Sequence, residues 1–265
     1  MKRRHFLQKL SLTTLFAFIT SVSARVLEPF ELTIAKGRKR VDKRWMHMDK
    51  SFDYFDYDFA DDMGFGLLRV LDDFELDFLS GTPVHPHKNI EILTILLEGQ
   101  IFHQDSLGHA GLLREGDYQM MSAGKGLKHA ETNPSQFNKT KGLQIWISSL
   151  NETGESMYQQ KDKDEVDLYN RMAIIASNQI SEGMLTQQDA QVLRGQFDEK
   201  KSLQYKLINP KNVAYCFVIE GSVKIFDKLL YKRDGLGVSQ KEIIEFEVYK
   251  DSDFLLIEIP KEGTF

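Results

Sequence analysis

The stretch GTPVHPHKNIEILTILLEGQIFHQDS, residues 81–106, decides the interpretation of this chain together with its neighbour GDYQMMSAGKGLKHAETNP, residues 116–134. With the short loop between them, these two stretches hold five of the seven histidines, namely His85, His87, His103, His109 and His129. No histidine follows His129, so the second half of the chain lacks the commonest metal ligand. The sequence therefore predicts that any metal chemistry lies in the first half.

The sequence contains two pairs of candidate metal ligands, and the two members of each pair are separated by two positions. In a strand, side chains two positions apart point to the same face. His85 and His87 form one pair, and His129 and Glu131 form the other. If the two strands face each other across a small β-barrel, three imidazoles and one carboxylate converge on one point. Imidazole with carboxylate suits iron(II), manganese, nickel, cobalt or zinc, so we expect this set to bind one divalent transition metal. Positions left open on an octahedral ion are typical of a catalytic site.

The chain beyond Pro29 consists of short apolar or alternating runs bounded by glycine, aspartate and asparagine, which predicts an all-β fold. The pentapeptide ILLEG at residues 95–99 recurs as FVIEG at residues 217–221, an offset of 221 − 99 = 122. This internal repeat predicts two related halves. Carried back without gaps, the offset places Leu207 opposite His85 and Asn209 opposite His87.

The first 24 residues, MKRRHFLQKLSLTTLFAFITSVSA, have the basic start, apolar middle and small-residue end of an export signal. Arg3, Arg4, Phe6 and Leu7 resemble the twin-arginine pattern. The alternative is an ordinary amphipathic helix, and the apolar segment is too short and too polar for a stable membrane anchor. We expect a periplasmic or secreted protein after signal removal, and otherwise a cytoplasmic one.

Composition and charge limit the function further. The 265 residues are 42% hydrophobic and 28% charged, as in a soluble protein with a sizeable core. The formal net charge is −5, and residues 1–24 carry four bases and no acid, which leaves −5 − 4 = −9 on the remainder. Because such a surface repels phosphate, we expect no nucleic-acid partner, and the basic stretch at residues 36–44 is interpreted as a strand end and turn. The single cysteine, Cys216, lies in an apolar run and is predicted to be a buried, inert thiol.

The strings HPHKNIEILTILLEG, HQDSLG and GDYQMMSAGKGLKHAETNP closely resemble the pirin family of the cupin superfamily, and especially its bacterial members described as quercetin dioxygenases. The resemblance extends from about Phe30 to the IEIP near the C-terminus. It implies a bicupin, in which two β-barrels (double-stranded β-helices) lie face to face and only the N-terminal one holds metal. The expected divisions are 30–150 for the metal-binding cupin, 151–190 for the connection and 191–262 for the metal-free C-terminal cupin.

The resemblance also implies which residues bind the metal, namely His85, His87, His129 and Glu131. General cupins have a proline where this chain has Gly124, and they take their carboxylate ligand from the first motif, where Glu91 lies. Both departures are the pirin variant. The leader is a different matter, because bacterial relatives usually have none.

The function implied by the resemblance is a dioxygenase that opens a flavonol such as quercetin with O₂ and with loss of carbon monoxide. The metal would lower the pKa of the flavonol 3-hydroxyl, and Glu131 would be either a ligand or the general base that takes the proton. The alternatives are a redox-sensing or regulatory metal protein without catalysis, similar to eukaryotic pirins, and a cupin enzyme acting on another small aromatic metabolite. The expected partners are a small aromatic molecule and O₂, and the expected state is a monomer.

Other residues leave alternatives open. Glu91 is a rival ligand or a hydrogen-bond partner of a metal-bound histidine. His103 either lines the pocket or packs against it, whereas His109 is expected in an exposed loop and His47 outside the site. The aromatic residues between Phe52 and Phe59 form either a lid over an aromatic substrate or ordinary strand packing.

Overall fold

The computed structural model describes residues 29–52, 64–149, 154–179 and 183–261. The predicted export signal, residues 1–24, lies outside the described residues, and so do four of the five aromatic residues suggested as a lid. The fifth, Phe52, lies just beyond a strand and is buried in the apolar core, with its ring centroid 5.2 Å from that of Tyr215, so it packs and does not form a lid. No helix in these ranges is long and apolar enough to cross a membrane.

The all-β prediction is confirmed. The described chain contains 22 strands and two single-turn 3₁₀ helices, Ala35–Gly37 and Lys163–Glu165. The strands form two seven-stranded and two four-stranded sheets. One sheet of each size makes up what we call the first unit, and the other two make up the second unit.

The first unit contains the two histidine-rich stretches. In spatial order its seven-stranded sheet consists of β12 Met157–Lys161, β9 Tyr118–Ser122, β6 Ile90–Glu98, β11 Thr140–Ser148, β4 Leu68–Leu76, β3 Met46–Lys50 and β2 Lys39–Lys43. Its four-stranded sheet consists of β5 Gly81–His87, β10 Leu127–Thr132, β7 Gln100–Asp105 and β8 Ala110–Arg114.

The second unit repeats this arrangement. Its seven-stranded sheet consists of β1 Phe30–Thr33, β20 Gly235–Val238, β17 Asn212–Glu220, β22 Ser252–Pro260, β15 Gln191–Phe197, β13 Arg171–Ser177 and β14 Met184–Leu185. Its four-stranded sheet consists of β16 Lys201–Lys206, β21 Ile243–Val248, β18 Ser222–Ile225 and β19 Lys228–Tyr231.

The internal repeat marks the same place in both units. Strands β6 and β17 are each third in their seven-stranded sheet, and each runs into a turn glycine. Gly99 has φ 80° and Gly221 has φ 73°, a left-handed conformation that is costly for residues with a Cβ atom. The repeated Glu-Gly therefore encodes the same turn from the large sheet to the small one.

Sheet membership differs from the predicted domain ranges at four strands, β1, β12, β13 and β14, the last of which also lies in the predicted connection and pairs with β13 in the second unit. Strand β1 pairs with β20 of the second unit, although residue 30 was placed at the start of the first domain. Strands β12 and β13 lie inside the predicted connection, yet β12 extends the first unit's sheet and β13 the second unit's. Strands β1 and β12 occupy equivalent edges of the two large sheets, where β1 pairs with β20 and β12 pairs with β9. Each therefore satisfies backbone groups that would otherwise be exposed at the sheet edge. Which strand pairs at such an edge depends on the tertiary fold, and the periodicity of a strand does not reveal it.

A continuous apolar core joins the two units. Leu93 and Ile95 of the first unit and Tyr215 and Phe217 of the second belong to one buried cluster between the seven-stranded sheets. The large sheets therefore pack face to face, and the four-stranded sheets lie on the outer sides. The opposite face of each large sheet points into its own unit.

The interiors of the two units differ in polarity. In the first unit, four polar residues on neighbouring strands are paired directly in one row. In spatial order they are Gln119, Thr94, Gln144 and Asp72. The equivalent row in the second unit is apolar and consists of Leu236, Cys216, Leu256 and Leu193. The polar row faces the histidines, whereas the apolar row belongs to a closed core.

The gap-free alignment of Asn209 with His87 is wrong. Asn209 lies beyond the end of β16, and its backbone N–H donates to Glu258 over 3.0 Å. The inward-facing side chains of β16 are Leu203 and Tyr205, and Leu207 follows them into the same apolar cluster. The first unit's β5 is one residue longer and carries a register shift against β10, so a single offset cannot hold through both strands.

Candidate metal centre

The two motif strands are neighbours in one sheet. We expected β5 and β10 to face each other across the barrel, but they pair antiparallel, with His85 directly opposite His129 and His87 opposite Leu127. Both strands still turn these imidazoles to the inside of the first unit. One nitrogen from each of His85, His87 and His129 lies within 4.8 Å of the others.

The carboxylate of Glu131 is buried beside these rings and held by two amides. Gln119 Nε2 donates to Oε1 over 3.0 Å, and Gln144 Nε2 donates to Oε2 over 2.9 Å. The amides are oriented in turn, because Trp146 Nε1 donates to Gln144 Oε1 over 3.1 Å and Tyr158 Oη donates to Gln119 Oε1 over 3.3 Å. Glu131 groups within 4.8 Å with His129 and His103, so the two candidate clusters share His129.

The imidazoles have the hydrogen-bonding pattern of metal ligands. His85 Nδ1 lies 2.8 Å from the carbonyl oxygen of Pro83, and because a carbonyl only accepts, Nδ1 carries the proton and Nε2 keeps its lone pair. His87 Nε2 is buried and has no hydrogen-bond partner among the described residues. An unpartnered buried nitrogen is costly, so a ligand for it is the simplest explanation.

Electrostatics keep the rings neutral, which is the form that binds metal. Burial, followed by the neighbouring imidazoles of His129 and His85, lowers the pKa of His87 to about 3. Burial, followed by His85 and His103, lowers the pKa of His129 to about 3. At neutral pH both rings are therefore uncharged, and one nitrogen of each ring keeps its lone pair.

The spacing of the rings suits a six-coordinate ion. With metal–nitrogen bonds of about 2.1 Å, adjacent ligands of an octahedral ion lie about 3.0 Å apart. His85 Nε2 and His129 Nε2 are separated by 3.0 Å. The residues present therefore fit a divalent transition metal at this point.

A small cavity of about 50 Å³ reaches His85 and Glu131. Its apolar wall comes from three strands and consists of Met46, Met48, Phe74, Leu76 and Ile101. Its polar residues also include Asp72, Thr82 and Gln144. The cavity therefore presents an apolar side and a polar, ligand-bearing end.

The remaining sequence candidates are placed as follows. Glu91 lies on the face of β6 that points between the units, where Ser122 Oγ donates to it over 2.6 Å and burial raises its pKa, so it is not a ligand of this cluster. His103 is fully buried beside His129. His109 lies in the loop between β7 and β8, as expected, but it is only half-exposed, and its Nδ1 lies 2.9 Å from Asp105 Oδ2. His47 lies on β3 and pairs with Asp42 at the surface.

Four residues of the site escaped the sequence reasoning: Gln119, Gln144, Asp72 and Tyr158. The first three carried a usable signal, because each is a polar residue inside an otherwise buried strand, where its polar atoms need a partner. Tyr158 carried none, since it lies in the polar stretch interpreted as a connection.

Comparisons with known proteins agree with this arrangement. A family model described as Pirin matches residues 33–147, and one described as Quercetinase C-terminal cupin domain matches residues 174–259. A relative from Pseudomonas aeruginosa is 34% identical over 217 residues, which cover 81% of this chain and 93% of the relative. The quercetin 2,3-dioxygenase of Escherichia coli K12 is 29% identical over 226 residues, which cover 85% of this chain and 96% of that enzyme.

A solved structure shares both fold and sequence features. The bacterial pirin YhhW from Escherichia coli, crystallised in complex with nickel(II), superposes with a TM-score of 0.81 at 28% identity. The match covers 87% of this chain and 99% of that one. On sequence and fold, this chain belongs to the pirin family and carries a quercetinase-type cupin domain in its second half.

Proposed function

We propose that this protein is a metal-dependent dioxygenase of the pirin type that opens a flavonol such as quercetin with O₂. The observation that carries the proposal is the convergence of His85, His87 and His129 beside the buried carboxylate of Glu131. The Escherichia coli relative named as a quercetin 2,3-dioxygenase supports the choice of substrate.

The three histidines and Glu131 would hold one divalent transition metal, with iron ahead of nickel, cobalt, manganese, copper and zinc. When bound, such an ion acts as a Lewis acid that lowers the pKa of a flavonol hydroxyl and supports reaction with O₂. Because His87 and His129 are already neutral, their rings do not have to release a proton before they bind the metal ion.

Glu131 is the residue placed to move the substrate proton. Each of its oxygens accepts one amide hydrogen bond and retains a second lone pair. The proton of the flavonol hydroxyl would pass from the substrate oxygen to a Glu131 oxygen, as in general base catalysis. Gln119 and Gln144 would hold the carboxylate in place while its charge changes.

The cavity suits an aromatic molecule with a polar end. Met46, Met48 and Phe74 would contact the rings, and the hydroxyl end would lie toward His85 and Glu131. A flavonol is larger than the cavity of about 50 Å³, so the wall must open for it. Methionine is suited to this because its unbranched side chain repacks readily.

The same cavity favours one alternative, a metal-binding redox-sensing or regulatory protein without catalysis. Small-molecule pockets usually enclose roughly 300–1,000 Å³, and the cavity beside Glu131 is far smaller. A site that binds only metal and O₂ or water needs no more space. The two functions differ in whether a loaded protein consumes a flavonol.

Loading with single metals tests the proposal. Separate samples carrying iron, nickel, cobalt, manganese or copper would be mixed with quercetin, and its absorbance and the released carbon monoxide would be followed together. We expect turnover with at least one metal, its loss in His85→Ala and His129→Ala, and no change in His47→Ala, which removes a surface histidine outside the site. Metal binding without turnover would favour the regulatory alternative.

We also propose export, because residues 1–24 have the features of a signal. Cell fractionation with a C-terminal tag tests this. A shortened chain in the periplasm supports export, and a full-length chain in the cytoplasm contradicts it.

A further inference from the structure

His103 lies behind the metal centre, on the side of His129 away from His85. It belongs to β7 and pairs directly with Glu131 of β10. Its side chain is fully buried, and its Nδ1 lies 3.4 Å from His129 Nδ1. Its ring also stacks on Tyr158, with centroids 4.6 Å apart and an interplanar angle of 22°. The ring is therefore fixed between two neighbours and contacts a proposed metal ligand through one nitrogen.

The other nitrogen of His103 points at Asp105. His103 Nε2 lies 3.5 Å from Asp105 Oδ2, which also faces His109 Nδ1 at 2.9 Å. The backbone N–H groups of Leu107 and His109 donate to Asp105 Oδ1 over 2.9 and 3.1 Å. Asp105 is thus a carboxylate, which only accepts hydrogen bonds.

Asp105, His103 and His129 form a series of hydrogen-bond contacts, and the acceptor at its Asp105 end sets the direction of each bond in the series. Because Asp105 accepts, His103 Nε2 carries the proton and His103 Nδ1 keeps its lone pair. That lone pair faces His129 Nδ1 at 3.4 Å, so a hydrogen bond between the two rings requires the proton on His129 Nδ1. The lone pair of His129 is then on Nε2, the atom 3.0 Å from His85 Nε2.

We propose that His103 is a positioning residue that holds His129 in the Nδ1–H tautomer and so directs the His129 Nε2 lone pair at the metal. The proposal rests on the metal site described under the proposed function. It gives His129 the same kind of support that the Pro83 carbonyl gives to His85. Histidine ligands commonly donate their second N–H to such a partner, which fixes the ring and strengthens its binding to metal.

The surroundings keep the ring of His103 in this orientation. Gly111 of β8 is paired directly with His103, and a Cβ atom at Gly111 would clash with the hydroxyl of Tyr158. The absence of a side chain at residue 111 lets Tyr158 lie flat over His103. The same tyrosine ring stacks on His109, with centroids 5.6 Å apart and an interplanar angle of 14°.

A direct ligand role for His103 is the rival explanation, since one atom each of His103, His129 and Glu131 lie within 4.8 Å of one another. That role would use His129 Nδ1 as a ligand and leave Nε2 protonated. The two explanations therefore predict opposite tautomers of His129.

The first test reads these tautomers directly in the wild-type protein. Nitrogen-15 NMR of the full chain loaded with Zn²⁺, a diamagnetic probe, distinguishes protonated, bare and metal-bound ring nitrogens. For His129 we expect a proton on Nδ1 and metal bound to Nε2. For His103 we expect a proton on Nε2 and neither a proton nor metal on Nδ1. Metal bound to Nδ1 of either residue, or a proton on His103 Nδ1, would overturn the proposal.

The second test measures Ni²⁺ affinity by calorimetry for His103→Leu, His103→Asn and the surface control His47→Ala. Leucine cannot accept the His129 hydrogen bond, so we expect about 10- to 100-fold weaker binding. Asparagine can place an acceptor oxygen near the Nδ1 position and should restore most of that loss, whereas His47→Ala should bind like wild type. Equal affinity of the leucine variant and wild type would overturn the proposal. Because neither test uses a flavonol, absence of quercetin turnover would refute the proposed reaction and leave this inference standing.

Discussion

His85 Nε2 lies 3.0 Å from His129 Nε2 on the neighbouring strand. The Pro83 carbonyl leaves His85 Nε2 with its lone pair, and the role proposed for His103 leaves His129 Nε2 with its own. Two nitrogen lone pairs at this separation can bind one metal ion as adjacent ligands. Nearby, the buried Nε2 of His87 has no hydrogen-bond partner among the residues that the structure describes. The folded chain therefore presents unused nitrogen lone pairs at one point, and a metal ion that binds them should stabilise the fold.

Metal should stabilise the fold. With free Ni²⁺ at about 100 times its Kd, binding to the folded state alone adds about 2.7 kcal/mol to the free energy of unfolding. For a chain of this size that raises Tm by roughly 5–10 °C, if about 1 kcal/mol corresponds to 2–4 °C. Differential scanning calorimetry with and without Ni²⁺ checks this. His129→Ala should show no such rise, and an equal rise in that variant would place the metal elsewhere.

The metal-free protein should lose stability as the pH falls. His87 and His129 have pKa values of about 3 in the folded protein and about 6.5 in an unfolded chain. Between these values the unfolded state binds more protons, so the free energy of unfolding decreases as the pH drops below about 6.5. Each group contributes at most about 1.4 kcal/mol per pH unit.

Urea unfolding in the presence of a chelator, at several pH values between about 7 and 5, measures this slope. Glu91 works in the opposite direction, because its raised pKa makes its contribution fall as the pH rises. His87→Leu should therefore flatten the profile, and Glu91→Gln should steepen it. A wild-type profile that stays flat over this range would show that the buried rings are not held neutral.

Replacing Glu131 by glutamine should separate proton transfer from metal binding. The amide keeps the shape of the side chain but takes up protons poorly, so we expect flavonol turnover to fall by about 10²- to 10⁴-fold. The three histidines should retain most of the metal. Steady-state kinetics and metal analysis on the same samples measure both effects, and unchanged turnover with full metal content would exclude Glu131 as the base.

Opening the apolar wall should help a large substrate. Met48 lines the cavity, and Met48→Ala removes volume where a flavonol must enter, so kcat/KM for quercetin should rise by about tenfold. Met172→Ala removes the same side chain where it packs, partly buried, against the second unit's core, and should leave kcat/KM unchanged. A fall in kcat/KM with Met48→Ala alone would mean that substrate enters by another route.

Much of the site was readable from sequence because its geometry follows local rules. The two-residue spacing of His85 and His87, and of His129 and Glu131, placed each pair on one face of a strand, and the structure shows both pairs turned inward. The buried thiol of Cys216 was equally local, because an apolar strand surrounded it. The prediction is confirmed, since Cys216 is fully buried and burial raises its pKa.

The features of the site that the sequence did not predict depend on which strands are neighbours in the fold. That β5 and β10 are neighbours rather than opposite strands follows from sheet order, and that Tyr158 covers His103 follows from β12 joining the first unit. Glu91 shows the same limit. Glu91 is an even number of positions from His85 and His87, which would place all three on one face of a single strand. However, β6 belongs to a different sheet from β5, so the Glu91 side chain points between the units. The alternation of side chains predicts a shared face only within one strand.

Carbon monoxide released per quercetin consumed, by protein loaded with a single metal, tests the central claim most directly. The account predicts one carbon monoxide for each flavonol, with both signals lost in His129→Ala and retained in His47→Ala. No carbon monoxide with any of the metals, from protein shown to bind metal at His85, His87 and His129, would contradict it.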